Sequence, residues 1–303
     1  MNKKIIISII GLILTANIIA QNNDTTIIDR NIKRILELIL QSPKFKGYEY
    51  SNKPDLKAHA DVTRQSATEG MVLLKNDGIL PLKKNARILV TGPNGNNMRT
   101  LNGGWSYTWQ GDGAANPKFT EKYNTIYEAL SKKFDNVTYV PGVEYIIEAP
   151  FVWMIDQANI KPAVAAAKNA DVIIACIGEN TYCETPGNDN TIALSENQRN
   201  LVKSLAATGR PVILVLNEGR PRVLNDIEGL ASAVVDIMLP GNHGADALAA
   251  LLCGEENFSG KLPFTYPKYT NKHAVYDYKP AESQGTMAGV YNYNAVMDVQ
   301  WPF

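Results

Sequence analysis

A short segment at residues 179–189 (ENTYCETPGND) could carry acid–base chemistry. It contains three carboxylates, Glu179, Glu184 and Asp189, with Tyr182 between them. The adjacent proline and glycine at 186–187 indicate a loop. A partly buried carboxylic acid can protonate a leaving oxygen, which is the role of a general acid. The segment therefore predicts a general acid, and a solvated acidic loop is the alternative.

A second segment, residues 103–112 (GGWSYTWQGD), is rich in aromatic side chains and glycine. Flat aromatic faces complement the apolar faces of sugar rings, and neighbouring polar groups can bind hydroxyls. We therefore predict that Trp105 and Trp109 form a stacking platform, with Gln110 and Asp112 as hydroxyl partners. A packed loop with buried rings is the alternative.

The elements that must position these loops follow an alternating pattern. Short Val- and Ile-rich runs predict strands at 88–90, 137–140, 172–177, 212–216 and 233–238. Helical segments lie between them at 125–134, 160–169, 196–207 and 244–252. Such alternation is typical of a doubly wound α/β fold, in which helices sandwich a mostly parallel sheet. Ligands of open α/β sheets bind beyond the carboxyl ends of the strands, where the 179–189 loop begins.

Two further helices are predicted before this pattern starts. Residues 27–40 have apolar side chains at helical spacing, and residues 57–76 continue with a second helical pattern. The polar and aromatic stretch at 41–54 between them contains two prolines and indicates an extended linker.

Nucleotide binding is a weaker possibility. Residues 92–95 (GPNG) follow a predicted strand, but they lack both the Gly-Lys-Ser/Thr ending and the G-x-G-x-x-G order of phosphate loops. A tight turn after the strand is the better interpretation. A flavodoxin-like nucleotide-binding module remains as a third hypothesis for the whole chain.

Neither a metal nor a cofactor is predicted. The histidines are isolated and the cysteines contain no C-x-x-C pair, so neither set has the spacing of a metal site. These residues are His59, His243, His273, Cys176, Cys183 and Cys253. His243 follows a strand, where it could line the ligand crevice.

Charge and the N-terminal residues restrict the location and the partners. The chain has 30 Lys and Arg against 30 Asp and Glu, and this balance argues against a nucleic-acid partner. Residues 1–20 have a basic start, an apolar run and small residues before Ala20, which predicts a cleaved signal peptide. We therefore expect a periplasmic or secreted protein without stable membrane insertion after signal cleavage.

Several motifs, taken in order, resemble the C-terminal α/β sandwich domain of glycoside hydrolase family 3. They include residues 66–76 (SATEGMVLLKN), 88–93 (ILVTGP), 105–112, 178–187 and 257–267 (NFSGKLPFTYP). The resemblance covers about residues 57–303 and implies an (α/β)6 sandwich.

The resemblance implies an exo-acting, retaining β-glycosidase, usually of β-glucosides or oligosaccharides. Glu184 falls where the family's acid/base glutamate lies. Trp109, together with Trp105, falls where an aromatic side chain clamps the leaving-group sugar. In the family, the nucleophilic aspartate comes from an N-terminal (β/α)8 barrel.

The chain departs from this family pattern at its N-terminus. A (β/α)8 barrel takes about 250 residues, whereas only residues 21–56 lie between the signal peptide and the sandwich. We expect residues 21–56 to be a remnant of the last barrel helix plus a linker. Residues 57–303 would then be the sandwich domain, truncated at its end.

Two hypotheses on function follow. The chain derives from a β-glucosidase and supplies its acid/base, or it is a non-catalytic domain that binds sugar or docks onto a separate barrel. The second is favoured for the isolated chain, because a general acid alone contributes only about 10²–10⁴-fold to the rate.

Overall fold

The computed structural model describes residues 25–42, 45, 56–146, 155–270 and 300–301. The chain divides between Leu56 and Lys57 into two units. The described part of the first unit is helix α1, Thr25–Gln41, which confirms the helix predicted at 27–40. Its apolar side chains are exposed, for example Leu38 at 73% and Leu40 at 60%. The predicted signal peptide and most of the linker lie outside the described residues.

The second unit is built on a six-stranded sheet with the order β1-β8-β7-β6-β2-β3. Strand β1 is antiparallel to β8, and all the other neighbours are parallel. Strands β4 and β5 form a separate antiparallel pair. The strands are β1 Val72–Asn76, β2 Arg87–Thr91, β3 Asn136–Tyr139, β4 Val143–Tyr145, β5 Asp156–Ala158, β6 Val172–Gly178, β7 Val212–Asn217 and β8 Ala233–Asp236.

Helices cover both faces of the sheet. They are α2 Leu56–Gly70, α3 Met98–Leu101, α4 Pro117–Thr120, α5 Ile126–Lys133, α6 Ile160–Ala167, α7 Glu196–Ala206 and α8 Gly244–Cys253. Side chains alternate along a strand, so Ile174 of β6 packs in the core beneath α5 and α8 while Ile173 packs beneath α6 and α7. All seven residues of β6 are buried. The doubly wound, mostly parallel α/β fold is confirmed.

Helix α5 shows how local sequence determines an element boundary. The Thr125 hydroxyl accepts a hydrogen bond from the Glu128 N–H at 3.3 Å, and the Glu128 carboxylate accepts one from the Thr125 N–H at 2.8 Å. This capping box satisfies two N–H groups that the helix itself leaves without acceptors.

The helix predicted at 57–76 is wrong over its last six residues. Helix α2 ends at Gly70, and Val72–Asn76 form strand β1 at the edge of the sheet. Val72 pairs with Asp236, and Leu73 pairs with Val235 of β8. An apolar Val-Leu-Leu run fits a strand and a helix equally well, and the free edge of β8 decides between them.

Candidate active site

Glycines allow the loops to leave the sheet close together. Gly92 and Gly178 have φ values of 92° and 138°, and a Cβ on either would lie 2.2 Å from a backbone oxygen of the neighbouring strand. Just beyond Gly92, the buried Asn94 amide donates hydrogen bonds to the Glu179 carbonyl at 3.1 Å and to Asn217 Oδ1 at 3.0 Å. Hydrogen bonds thus connect the carboxyl ends of β2, β6 and β7.

This arrangement leaves little scope for a phosphate at residues 92–95. The N–H groups of Gly92, Asn94 and Gly95 donate to the carbonyls of Pro141, Cys176 and Gly92. A phosphate loop needs such N–H groups for its ligand. The geometry therefore favours the tight turn over the nucleotide-binding interpretation.

The three carboxylates of the 179–189 loop have different environments, and Glu179 is the buried one. Its side chain is 1% exposed and forms an ion pair with the equally buried Arg222, whose Nε donates at 2.7 Å. The backbone N–H groups of Gly219 and Arg220 donate to its other oxygen, each at 3.0 Å. Glu179 therefore anchors the β7 loop under the 179–189 loop.

Asp189, at the far end of this loop, also serves as an anchor. It accepts a hydrogen bond from Arg222 Nη1 at 3.0 Å and one from the Thr191 N–H at 3.1 Å. Partial burial raises the pKa of Asp189, but these hydrogen bonds outweigh burial and leave the pKa below its ordinary value. The carboxylate is thus held in its charged form.

Glu184 differs from both. Its side chain is exposed, and within the described part of the chain its carboxylate makes no hydrogen bond or ion pair. Its backbone has φ 55° and ψ −145°, a region that non-glycine residues occupy at a cost of order 1–3 kcal/mol. Sequence analysis expected a partly buried acid, and in this unit the buried carboxylate of the loop is Glu179.

A brace beneath Glu184 keeps the loop folded. The Tyr182 hydroxyl donates to Glu179 Oε2 at 3.0 Å, and the Arg220 guanidinium lies 4.3 Å from the centre of the Tyr182 ring. Arg220 Nη1 also donates to the Gly187 carbonyl at 2.7 Å. Residues on both sides of Glu184, Tyr182 and Gly187, are therefore held by side chains that follow β6 and β7.

The aromatic loop presents its rings to solvent. Trp105 is 68% exposed and Trp109 is 42% exposed, so the alternative of buried rings is wrong for these two side chains. The Trp105 N–H donates to the Trp109 carbonyl at 2.8 Å, which closes the segment between them. Tyr107, also partly exposed, stacks on Phe119 with ring centres 4.8 Å apart.

The two polar residues predicted to bind hydroxyls make contacts within the protein. Asp112 is exposed and accepts a hydrogen bond from the Thr108 hydroxyl at 2.6 Å. The amide of Gln110 is bonded to the backbone of Cys183 through both its nitrogen and its oxygen, at 3.2 and 3.1 Å. Their contacts to sugar stay predictions.

The Gln110 contact joins the two loops, and a second contact supports it. Arg99 Nε, from helix α3 at the base of the aromatic loop, donates to Thr181 Oγ1 at 2.7 Å. Trp109 and Glu184 are therefore brought to the same edge of the sheet, although they are far apart in sequence. The exposed tryptophan rings and the exposed Glu184 carboxylate therefore lie on neighbouring loops.

Backbone strain is concentrated at this edge. The non-glycine residues with positive φ among those described are Trp105, Tyr107, Glu184 and Met238. All four lie in loops after the carboxyl ends of β2, β6 and β8. Strained residues persist only where the surrounding structure holds them, and they cluster at functional sites.

Sequence analysis missed a buried polar network beside the site. The Tyr266 hydroxyl lies 2.6 Å from Glu218 Oε1 and 2.8 Å from the Arg222 carbonyl. The Arg222 N–H also donates to Glu218 Oε1, at 3.2 Å. Burial, with nearby Asp236 second, raises the pKa of Glu218 well above its ordinary value. The run Glu218–Arg222 after β7 was the available signal, since its charged side chains follow a fully buried strand.

The two described histidines have separate environments. His59 lies exposed on α2, His243 packs edge-on against Tyr123 at 5.1 Å, and His273 lies outside the described residues. In the described ranges, no three His, Cys, Asp or Glu side chains are grouped so that they could hold a metal ion. None of the described helices is long and apolar enough to cross a membrane.

A comparison with protein families identifies the sandwich unit. Residues 71–299 match the glycosyl hydrolase family 3 C-terminal domain. The chain belongs to glycoside hydrolase family 3. It is 35% identical over 235 residues to the lysosomal beta glucosidase of Dictyostelium discoideum, covering 75% of this chain and 28% of that protein. It is 34% identical over 284 residues to the periplasmic beta-glucosidase of Salmonella typhimurium, covering 88% of this chain and 37% of that protein.

Solved structures of family 3 enzymes share the fold. A beta-glucosidase from Listeria innocua superposes with a TM-score of 0.70 at 24% identity, covering 97% of this chain and 40% of that one. An exo-1,3/1,4-beta-glucanase from Pseudoalteromonas superposes with a TM-score of 0.60 at 28% identity, covering 73% and 35%. The chain thus spans about a third of the length of the curated relatives that it matches.

Proposed function

We propose that this chain is the acid/base-bearing part of a retaining β-glycosidase that acts on terminal β-glucosyl groups. One observation carries the proposal. Glu184 is the one carboxylate of its loop that is exposed and unpaired among the described residues, and its loop is bonded to the loop that exposes Trp105 and Trp109. The family's relatives in Dictyostelium and Salmonella are beta-glucosidases, which supports this substrate class.

In this mechanism Glu184 first acts as an acid and then as a base. It protonates the glycosidic oxygen as the bond to the anomeric carbon breaks, and it later takes a proton from the water that hydrolyses the glycosyl-enzyme. Such a mechanism needs a second carboxylate about 5–5.5 Å away as nucleophile. We propose that a (β/α)8 barrel supplies it, since the chain spans only about a third of its relatives.

The tryptophans bind the sugar on the leaving-group side in this proposal. Trp105 and Trp109 would stack on its apolar faces, and Asp112 would accept hydrogen bonds from its hydroxyls. Residues 1–20 would direct export to the periplasm or the exterior, which agrees with the periplasmic name of the Salmonella relative. Residues 21–56 would be a barrel helix and linker, and residues 57–303 the sandwich domain.

A second candidate is a non-catalytic domain that binds sugar or docks onto a barrel. The short span of the chain relative to its relatives favours it. It keeps the aromatic platform and makes no use of the Glu184 proton. The two candidates therefore agree on sugar binding and differ on hydrolysis.

Hydrolysis of 4-nitrophenyl β-glucoside separates the candidates. The full chain is assayed alone and mixed with the separately produced remainder of the Salmonella relative, the part that this chain does not match, which in this proposal is the barrel. We expect hydrolysis in the mixture and a loss of about 10²–10⁴-fold in Glu184→Gln. Glu196→Gln, an exposed glutamate at the start of α7, is the matched control and keeps full activity.

Tryptophan fluorescence tests sugar binding separately. Glucose should quench the emission of the unaltered chain, and Trp109→Ala should abolish the quenching. Quenching without hydrolysis, alone or in the mixture, supports the non-catalytic candidate. Hydrolysis that survives in Glu184→Gln contradicts the role assigned to this residue.

A further inference from the structure

One of the contacts between the two site loops joins the Gln110 side chain to the Cys183 backbone. Gln110 Nε2 donates to the Cys183 carbonyl at 3.2 Å, and the Cys183 N–H donates to Gln110 Oε1 at 3.1 Å. A glutamine that bonds both polar groups of one residue fixes the position and the orientation of that backbone unit. Cys183 directly precedes Glu184, so the unit that is held is the one that carries the candidate acid.

The Cys183 thiol adds two more bonds to the same junction, and the first is accepted from Gln110 Nε2 at 3.4 Å. Sγ donates to the Trp109 carbonyl at 3.0 Å, and this carbonyl also accepts the Trp105 N–H at 2.8 Å. A single carbonyl oxygen therefore connects both tryptophans to the residue before Glu184. The position of the two tryptophans relative to the Glu184 carboxylate therefore depends on the hydrogen bonds to the Trp109 carbonyl.

Tight packing closes the junction from the other side. A Cβ added at Gly104 would lie 2.5 Å from the Cys183 Cβ and 2.6 Å from the Tyr182 carbonyl. The loops thus approach at a distance that only glycine allows. The φ of 55° at Glu184 is unfavourable for a non-glycine residue. The close packing therefore holds the backbone at Glu184 in a conformation that it would not adopt without these neighbours.

We propose that Gln110 and Cys183 form a latch that holds Glu184 at a fixed distance from the tryptophan platform. Gln110 is then a positioning residue, and its amide serves Cys183 in place of a sugar hydroxyl. The latch is a structural claim about the two loops. Its role in catalysis rests on the proposed function, so the test below has one part that does not depend on activity.

The first part measures how often the latch opens, through the reactivity of the Cys183 thiol. The background variant is Cys253→Ser, which leaves Cys183 and the fully buried Cys176. The reagent is 5,5′-dithiobis(2-nitrobenzoate), whose disulfide the Cys183 thiolate attacks to form a mixed disulfide and release a coloured thiolate. Rates are measured over a range of pH and compared as rate constants of the thiolate.

Gln110→Leu keeps the approximate volume and removes all three hydrogen bonds between Gln110 and Cys183, including the one to the sulfur, and we expect Cys183 to react at least about tenfold faster. Gln110→Glu keeps an acceptor for the Cys183 N–H but loses the donor, so an intermediate rate is expected. Gln65→Leu removes an exposed glutamine that bonds Glu69 on α2, and it leaves the rate unchanged. Equal rates in Gln110→Leu and the background overturn the latch, provided that far-ultraviolet circular dichroism shows both to be folded.

The second part uses hydrolysis by the chain mixed with the barrel. A displaced acid slows the first step for substrates whose leaving group needs a proton, so Gln110→Leu should lower kcat/KM more for methyl β-glucoside than for 2,4-dinitrophenyl β-glucoside. A lost sugar contact would raise KM and slow both substrates alike, and that result overturns the positioning role. If no variant and not even the unaltered chain is active, the proposed function fails, while the thiol rates still decide whether the latch exists.

Discussion

The buried ion pair between Glu179 and Arg222 gives the sharpest quantitative prediction. Both side chains are 1% exposed, and Glu179→Gln would break this pair and leave the Arg222 charge buried beside Asp189. Removing one member of a buried pair costs about 3–5 kcal/mol of unfolding free energy. For a unit of this size, that loss lowers the melting temperature by roughly 6–20 °C.

The assay is urea unfolding followed by far-ultraviolet circular dichroism, with a thermal scan beside it. The control is Asp171→Asn, which alters the exposed pair that Arg87 and Asp171 form at 2.5 Å. These side chains are 57% and 45% exposed, so solvent screens them and the loss should be far smaller. A loss below about 1 kcal/mol in Glu179→Gln, against the 3–5 kcal/mol of a broken buried pair, or equal losses in the two variants, would refute the reasoning from burial.

Three further changes test other parts of the structure. Because the fold raises the pKa of Glu218, the folded chain keeps this proton to higher pH than the unfolded chain, in which the pKa of glutamate is about 4.3, and the unfolding free energy should fall with rising pH by up to about 1.4 kcal/mol per unit. Glu218→Gln should flatten that slope in urea titrations between pH 5 and 8, and unchanged slopes would show that Glu218 is charged in the fold. Thr125→Ala removes the cap of α5 and should lower the unfolding free energy by about 1 kcal/mol in the same assay. Thr125→Ser keeps the hydroxyl and should show no such loss. Equal losses in the two variants would contradict the capping bond. Gly104→Ala forces a methyl group against Cys183 and should weaken glucose quenching of tryptophan fluorescence. The control Gly229→Ala has no atom within 4 Å of its added Cβ and should leave the quenching unchanged. Equal quenching in the two variants would refute the close approach of the loops.

The fold was largely predictable from sequence because its central strands are buried on both faces. Continuous runs such as Val172–Gly178 are too apolar and too short for surface helices. For this reason they could be predicted as strands, and at the right positions, from the local sequence. Val72–Asn76 has a similar composition, yet it was predicted as helix. Its conformation depends on pairing with β8, which lies far along the chain and leaves no trace in the local pattern.

The site shows the same limit. The two loops could be identified from their residue types and from the family resemblance, but the roles of the three carboxylates could not be separated. What distinguishes Glu179 from Glu184 is Arg222, which follows a different strand and reaches Glu179 only in the folded chain. Likewise, Gln110 suggests a sugar ligand by residue type, whereas its contacts with Cys183 arise only when the loops meet.

The role of Glu184 is tested most directly by its dependence on the leaving group. The kcat/KM values of the unaltered chain and of Glu184→Gln, each mixed with the barrel, are compared on methyl β-glucoside and on 2,4-dinitrophenyl β-glucoside, because kcat/KM reports the first step, in which the leaving group departs. If Glu184 is the proton donor, the variant loses about 10²–10⁴-fold on the methyl glucoside and far less on the dinitrophenyl glucoside, whose leaving group departs without a proton. Equal losses on the two substrates, or no loss on the methyl glucoside, would contradict that role.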